Sequence, residues 1–329
     1  AGLCHSDLSV INGDRPRPLP MILGHEAAGV VEAVGEGVDL VPGDHVVTTF
    51  MPNCGHCLPC AEGRPALCEP GAEANGAGAL LGGGRRLSEK GGAIHHHLGV
   101  SAFAERAVMS RRSVVRVDRD IPFIEAALFG CAVLTGVGAV VNTAHMPMGA
   151  SAAVIGLGGV GLAALLGARA AGASRIVAVD LSPEKLALAG ELGATHLVDG
   201  RDPDCVEQVR ALTGGGVDFG FEMAGSLPAL VNALGMTRRG GMTVTAGLPP
   251  AGAALPVDIV RLVGEERTIK GSYMGSCVPA RDVPRYMQLY REGRLPVDKL
   301  LSATLTLDEI NLGFDRLQAG QAVRQVILF

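Results

Sequence analysis

The sequence predicts an α/β fold: a doubly wound parallel sheet joined to a second, mainly β domain. Three observations carry this. The chain has 329 residues, more than one core usually organises, so two domains are expected. After about residue 150, strand-like and helix-like segments alternate, the pattern of a parallel sheet with helices on both faces. Before about residue 132, short apolar runs are broken by Gly and Pro, the pattern of short strands joined by turns.

The elements follow in order. GVVEAVGEGVDLVPGDHVVTTF, residues 29 to 50, reads as short strands between Gly and Pro turns. Residues 71 to 94 are Gly-rich and irregular, and read as a long surface loop. SAAVIG is strand-like, GGVGLAALLGARAAGA helical and RIVAVD a strand. PEKLALAGELG is a helix with Pro183 in its first turn and Gly193 as its stop. GVDFGFEM, GMTVTAGL and RTIKGS are strands with helical stretches between them. From about 276 the chain reads as helical, then ends in the strand-like VRQVILF.

Composition limits the function. Apolar residues make up 48% and charged residues 19%, enough for a sizeable core. The net charge of -5, without a basic cluster, argues against nucleic acid and anionic membrane as partners. No Asp, Glu, Lys or Arg occurs from Ala126 to Ala168, but Asn142, His145, Pro147 and many glycines interrupt this stretch. The reading therefore expects buried core segments rather than an apolar span of about 20 residues. Eight cysteines in a long chain with no visible leader point to reduced thiols and a cytoplasmic protein.

Gly156-Leu157-Gly158-Gly159-Val160-Gly161 is G-x-G-x-x-G between a strand and a helix, and Asp180 ends the next strand. Together these make the dinucleotide fingerprint. The glycines let the backbone approach a pyrophosphate at the positive end of a helix. Asp180 can accept from ribose hydroxyls and repels a 2′-phosphate, and Leu181 beside it supplies no positive charge, so the reading is NAD rather than NADP.

Cys54, Cys57, Cys60 and Cys68 are spaced C-x₂-C-x₂-C-x₇-C. CGHC also reads as a redox motif, but Pro59, Gly63 and Pro65 leave no room for the long helix that would lower a thiol pKa. Four thiolates close a tetrahedral shell, so a structural zinc is the reading, with an iron–sulfur cluster as the lesser alternative. Cys4 in GLCHSD, His25 and Glu26 in GHE, and Cys131 in GCAVLTG are each uninformative alone. Together they make a Cys, His, Cys set with a nearby carboxylate, the open geometry of catalytic zinc.

In GLCHSD, GHE, the four-cysteine lobe, GLGGVG with its Asp, and VRQVILF, in that order, the chain resembles the zinc-containing medium-chain alcohol dehydrogenases over essentially its whole length. The resemblance implies an NAD-binding Rossmann domain over 133–273 and a GroES-like catalytic domain over 1–132 and 274–329. It implies NAD and two zinc ions per chain, and hydride transfer between a primary alcohol, or an aldehyde in reverse, and NAD. Cys4, His25 and Cys131 would bind catalytic zinc, with Glu26 behind it. Asp7 would orient His25, and Ser6 would hydrogen-bond the alcohol and relay its proton. His5 and Arg324 would lie near the pyrophosphate, Thr135 beside the nicotinamide and Lys185 near the adenosine ribose. Phe50 and His97-Leu98 would line the substrate pocket.

The chain departs from that family at three places. Ser9 stands where a His often ends the proton relay, which leaves His96 as a candidate substitute base. His5 replaces a frequent Arg. Family members also have several dozen residues before GLCHSD, so the catalytic domain is expected to lack its N-terminal strands, with exposed strand edges. In the family it resembles, a long stretch like that from 71 to 97 goes with dimers, so the resemblance implies a homodimer, joined through cofactor-domain sheets with Arg267 to Met274 at the edge. Three alternatives stay open: a truncated, inactive NAD- and zinc-binding homologue, a thiol–formaldehyde adduct dehydrogenase using Arg85, Arg86 and Lys90, and a redox-regulated protein using Cys54 and Cys57. Cys205 reads as structural and Cys277 has no assigned role.

Overall fold

The computed structural model describes residues 1–329, which divide into two compact units, Thr135–Ser276 and the discontinuous Ala1–Leu134 with Cys277–Phe329.

The continuous unit holds six parallel strands: β1 (Ser151–Ile155), β2 (Arg175–Asp180), β3 (His196–Asp199), β4 (Val217–Glu222), β5 (Thr237–Thr245) and β6 (Thr268–Gly271). Their order is β6-β5-β4-β1-β2-β3, every neighbouring pair parallel. This is the doubly wound order in which the chain reverses direction beside the first strand. Ala152, Ala153, Val154, Val177 and Ala178 are fully buried, because helices cover both faces of a parallel sheet. Helix α1 (Gly159–Ala170) follows β1 and buries most of its length. Helix α2 (Pro183–Leu192) starts where Ser182 accepts from the Lys185 amide and stops at Gly193 in the left-handed region, as its two punctuating residues lead one to expect. Strand β3 was not among the expected strands. It is an edge strand whose one fully buried side chain is Val198, so its sequence carries little apolar signal.

The discontinuous unit is built from small sheets. Ala28–Val30, His45–Thr48 and Val114–Val117 form an antiparallel sheet. Gly92–His96 pairs with Met21–Ile22 and with Leu87–Glu89. Leu301–Leu305 lies parallel to Arg324–Ile327, the strand expected at the end of the chain. The first residues are held between two of these segments: Gly2 donates to the Glu26 carbonyl and Leu3 to that of Gln325. Leu3, Leu8, Phe103, Leu305, Phe314, Leu317 and Ile327 form the core beneath them.

Two expectations need correction. Residues 71 to 94 are not an irregular loop: helix Glu69–Ala77 and the hairpin Leu87–Glu89/Gly92–His96 occupy most of the stretch. Gly71 is there for contact rather than flexibility, since a Cβ on it would overlap the Pro52 carbonyl. The stretch around 126–168 does contain a helical run long and apolar enough to cross a membrane, Phe123–Thr143, of 21 residues. It is 83% buried within the protein over its most apolar window, which makes it a core helix here. Asn142 lies inside it without interrupting it, while Pro147 falls beyond its end.

Candidate active site and metal centres

Cys4 sits immediately before the short helix His5–Ile11, and the hydrogen bonds of Gly2 and Leu3 fix its position. The first helical turn carries Ser6, half-buried, and Asp7, fully buried. Asp7 Oδ1 accepts from the Gly24 amide at 2.9 Å, and its two oxygens lie 3.2–3.3 Å from His25 Nδ1. Gly24 is required at φ +91°, where a Cβ would strike the Phe103 backbone. Thr48 Oγ1 donates to the His25 carbonyl at 2.7 Å. With Nδ1 engaged, His25 Nε2 is left buried and without a partner.

Cys131 reaches the same place from a wide π turn, Phe129–Val133. Such turns displace one residue from helical register and often serve sites. Gly130 lets this turn touch the sheet, since a Cβ there would overlap the Thr48 carbonyl. Cys4, His25, Glu26 and Cys131 each bring one ligand atom within 4.8 Å of the others, all from buried side chains. An unpartnered imidazole nitrogen among thiols is the donor set zinc takes. Cys131 and burial act in opposite directions on Cys4, and the balance, with His25 and Arg324 helping, holds its thiol well below the ordinary range. Burial pushes Glu26 up to about 7 against the pull of Arg324, whose Nη1 is 3.6 Å away. Both Glu26 oxygens lack a hydrogen-bond partner.

The second cluster is the expected one. Cys54, Cys57, Cys60 and Cys68 also bring their sulfurs within 4.8 Å of one another. Amides of Cys54 and Gly71 donate to the Cys68 sulfur, and amides of His56 and Cys57 to that of Cys54. Those amides, that of His56 first, bring Cys54 down to about 6, whereas burial pushes Cys60 up to about 12. Amide donation to sulfur suits thiolates gathered on a metal. The helix after Cys57 is only Leu58–Ala61, too short to activate a redox thiol, and all eight cysteines are free thiols.

The glycine fingerprint sits where β1 meets α1. Gly156 has φ +89° and its Cβ position is taken by Ala224; a Cβ on Gly161 would overlap the Gly156 carbonyl. Gly158, which precedes the helix, has open space at its Cβ position. Two glycines thus close the turn and the third leaves room for a ligand at a helix N-terminus. Asp180 accepts from the Leu157 amide at 2.5 Å and from that of Ser182 at 2.9 Å, which fixes its carboxylate beside the turn. Lys185 is half-buried in the first turn of α2, and Thr135 is buried with its hydroxyl 3.7 Å from the Met274 sulfur.

The zinc-binding dehydrogenase family model matches residues 159–292, and the alcohol dehydrogenase GroES-like domain matches residues 1–119. An alcohol dehydrogenase zinc-binding domain protein from Burkholderia ambifaria is 38% identical, covers 98% of this chain and 88% of its own, and superposes with a TM-score of 0.94. The chain belongs to the zinc-containing alcohol dehydrogenase family. A benzyl alcohol dehydrogenase from Acinetobacter calcoaceticus is 34% identical over 99% of this chain and 89% of its own, with a TM-score of 0.93. An alcohol dehydrogenase from Thermus sp. ATN1 is 31% identical over 100% and 90%, with a TM-score of 0.85. The two domains are therefore those of an alcohol dehydrogenase, a Rossmann sheet and a GroES-like domain.

Some features of this family member were not legible beforehand. His96, a candidate relay base, has both ring nitrogens facing other groups: Nε2 accepts from the Arg86 amide at 3.0 Å and Nδ1 faces Ser101 Oγ at 3.5 Å. It holds the hairpin rather than the site. His97, the next residue, instead reaches Asp7. Arg324 is buried against Glu26 and donates to the Leu3 carbonyl at 3.3 Å. Glu222, at the end of β4, accepts from the Gly225 amide and the Thr245 hydroxyl, both at 2.6 Å. It fixes two loops at the carboxyl ends of β4 and β5, where a doubly wound sheet binds its ligand. The signal for it was a buried acidic residue at the carboxyl end of a mostly apolar strand.

Proposed function

We propose that this family member oxidises a primary alcohol, or reduces the corresponding aldehyde, by hydride exchange with NAD. The observation that carries the reading is the buried Cys4, His25 and Cys131 donor set, with Glu26 at hand and the imidazole nitrogen of His25 unpartnered. Zinc held there would supply Lewis acidity, which lowers the pKa of an alcohol, and NAD would accept the hydride. Asp7 fixes the Nδ1–H tautomer of His25, so Nε2 presents its lone pair. Ser6, two residues after Cys4 and half-buried, would take the hydroxyl proton of the alcohol and pass it on to solvent. Glu26, with Arg324 balancing its charge, would offer a further carboxylate beside a bound metal. Cys54, Cys57, Cys60 and Cys68 hold a structural zinc.

Asp180 accepts from the adenosine ribose hydroxyls and disfavours a 2′-phosphate, which supports NAD over NADP. Lys185 lies near that ribose, His5 and Arg324 serve the pyrophosphate, and Thr135 borders the nicotinamide. We assign the working form as a homodimer joined through β6, which is an edge strand of the sheet. Next to it in sequence, the helix Ile259–Gly264 exposes Ile259, Val260 and Val263.

The test pairs metal with turnover. Elemental mass spectrometry should find two zinc ions per chain, and an alcohol panel that includes benzyl alcohol should reduce NAD faster than NADP. Removing Cys131 as Cys131→Ser should leave one zinc and abolish turnover. Two zincs with no oxidation of any alcohol would favour an inactive NAD- and zinc-binding protein instead.

A further inference from the structure

The Asp7 carboxylate serves two imidazoles, not one. It is fully buried and comes close to three donors: the Gly24 amide at 2.9 Å, His25 Nδ1 at 3.2–3.3 Å and His97 Nδ1 at 3.0 Å. His97 is itself buried, and its Nδ1, without a hydrogen-bond partner, lies at ion-pair distance from the Asp7 carboxylate. Its ring stands edge-on to that of His25, with centroids 5.5 Å apart and planes at 80°, while Phe50 closes His25 at 5.0 Å and 87° from another direction. Leu98 and Ser101, at φ +54° and +57°, turn the chain directly after His97, and Ser101 Oγ accepts from the His97 amide at 3.0 Å. The backbone that presents His97 is thus held as tightly as the ring.

We propose that His97 is a positioning residue for the catalytic metal: by donating to Asp7 it fixes the carboxylate that orients His25. Rotational freedom of the carboxylate decides how firmly His25 is held. A carboxylate can rotate about its Cβ–Cγ bond, and two anchors on the His25 side leave that rotation open. A third donor, on a buried ring packed edge-on against His25, closes it. A buried charge with fewer donors also costs more, so Asp7 without His97 either shifts or draws in water. Either change loosens His25, and groups behind a metal ligand are worth about 10–100-fold in metal affinity. His97 touches neither substrate nor zinc in this role; it acts through Asp7 and His25.

The inference rests on reading Cys4, His25 and Cys131 as the catalytic zinc site, and the test separates the two. Zinc per chain is followed during titration with a chelator, in the absence of NAD and alcohol. His97→Phe keeps an aromatic ring and removes the donor. His97→Asn keeps a donor near the Nδ1 position. The parent should hold two zincs. H97F should give up one of them at about tenfold lower chelator and keep the other, and H97N should restore most of the parent's retention. With cobalt at the weaker site, the visible absorption of H97F should shift and that of H97N return toward the parent. H97F retaining both zincs like the parent, or H97N failing as H97F does, overturns the positioning role alone. A parent holding only the structural zinc overturns the catalytic-site reading and this inference together. Should H97F fail to fold, His97→Gln takes its place, because its amide reaches the Nε2 position instead.

Discussion

Three glycines of the fingerprint behave differently, and a methyl group tells them apart. At Gly161 a Cβ would overlap the Gly156 carbonyl, so Gly161→Ala must move the turn. It is expected to cost about 2–3 kcal/mol in denaturant unfolding, the size of an overpacked contact. At Gly158 the backbone is extended at φ -70° and nothing lies within reach of an added Cβ. Gly158→Ala should leave stability within about 1 kcal/mol while weakening NADH binding, read by fluorescence titration. Equal NADH affinity in Gly158→Ala and the parent would remove the pyrophosphate from this turn. The sequence pattern names all three glycines; only the packing says which serves the fold and which the ligand.

Elements are tied together by polar groups that apolar periodicity does not reveal. Asp218, in β4, accepts from the amide and hydroxyl of Ser151, in β1, both at 2.7 Å, and from Arg238 Nε at 2.7 Å. Burial pushes its carboxyl up, but the Ser151 donors and Arg238 outweigh burial and hold it below the usual range. A depressed folded pKa means stability that is present above the unfolded value, near 3.8, and lost as pH falls through the folded one. Asp218→Asn should therefore destabilise by about 1–2 kcal/mol at pH 7, and the gap to the parent should narrow by pH 3. A gap that does not change with pH would mean that charge plays no part in joining these strands. Helices α1 and α2 were legible because their glycine, proline and cap residues act locally. Helix Glu69–Ala77 was not, because its two glycines look like a loop until Gly71 is seen against the Pro52 carbonyl.

For the whole molecule, the apolar face of Ile259–Gly264 makes a prediction about assembly. Val260 is 84% exposed, and an exposed apolar cluster beside an edge strand marks a surface that another chain covers. Val260→Asp should shift sedimentation from dimer to monomer and leave both zincs in place. A parent that sediments as a monomer, or a variant that stays dimeric, places the interface elsewhere or removes it.

The residue types of both metal sets, the glycine turn with Asp180, and the alternation that builds a parallel sheet are all legible along the chain. These are local or short-range patterns, and a motif of a few residues carries them intact. Tertiary structure decided the rest. It brought Cys4, His25 and Cys131 within 4.8 Å although the first and last stand 127 positions apart in the chain. It sent His96 to the hairpin and His97 to Asp7, a difference that adjacent identical residues cannot announce. It also set Arg324 against Glu26 across nearly the full length of the chain. Such pairings depend on how distant segments pack, and a burial cost shared among them has no signature in any one stretch of sequence.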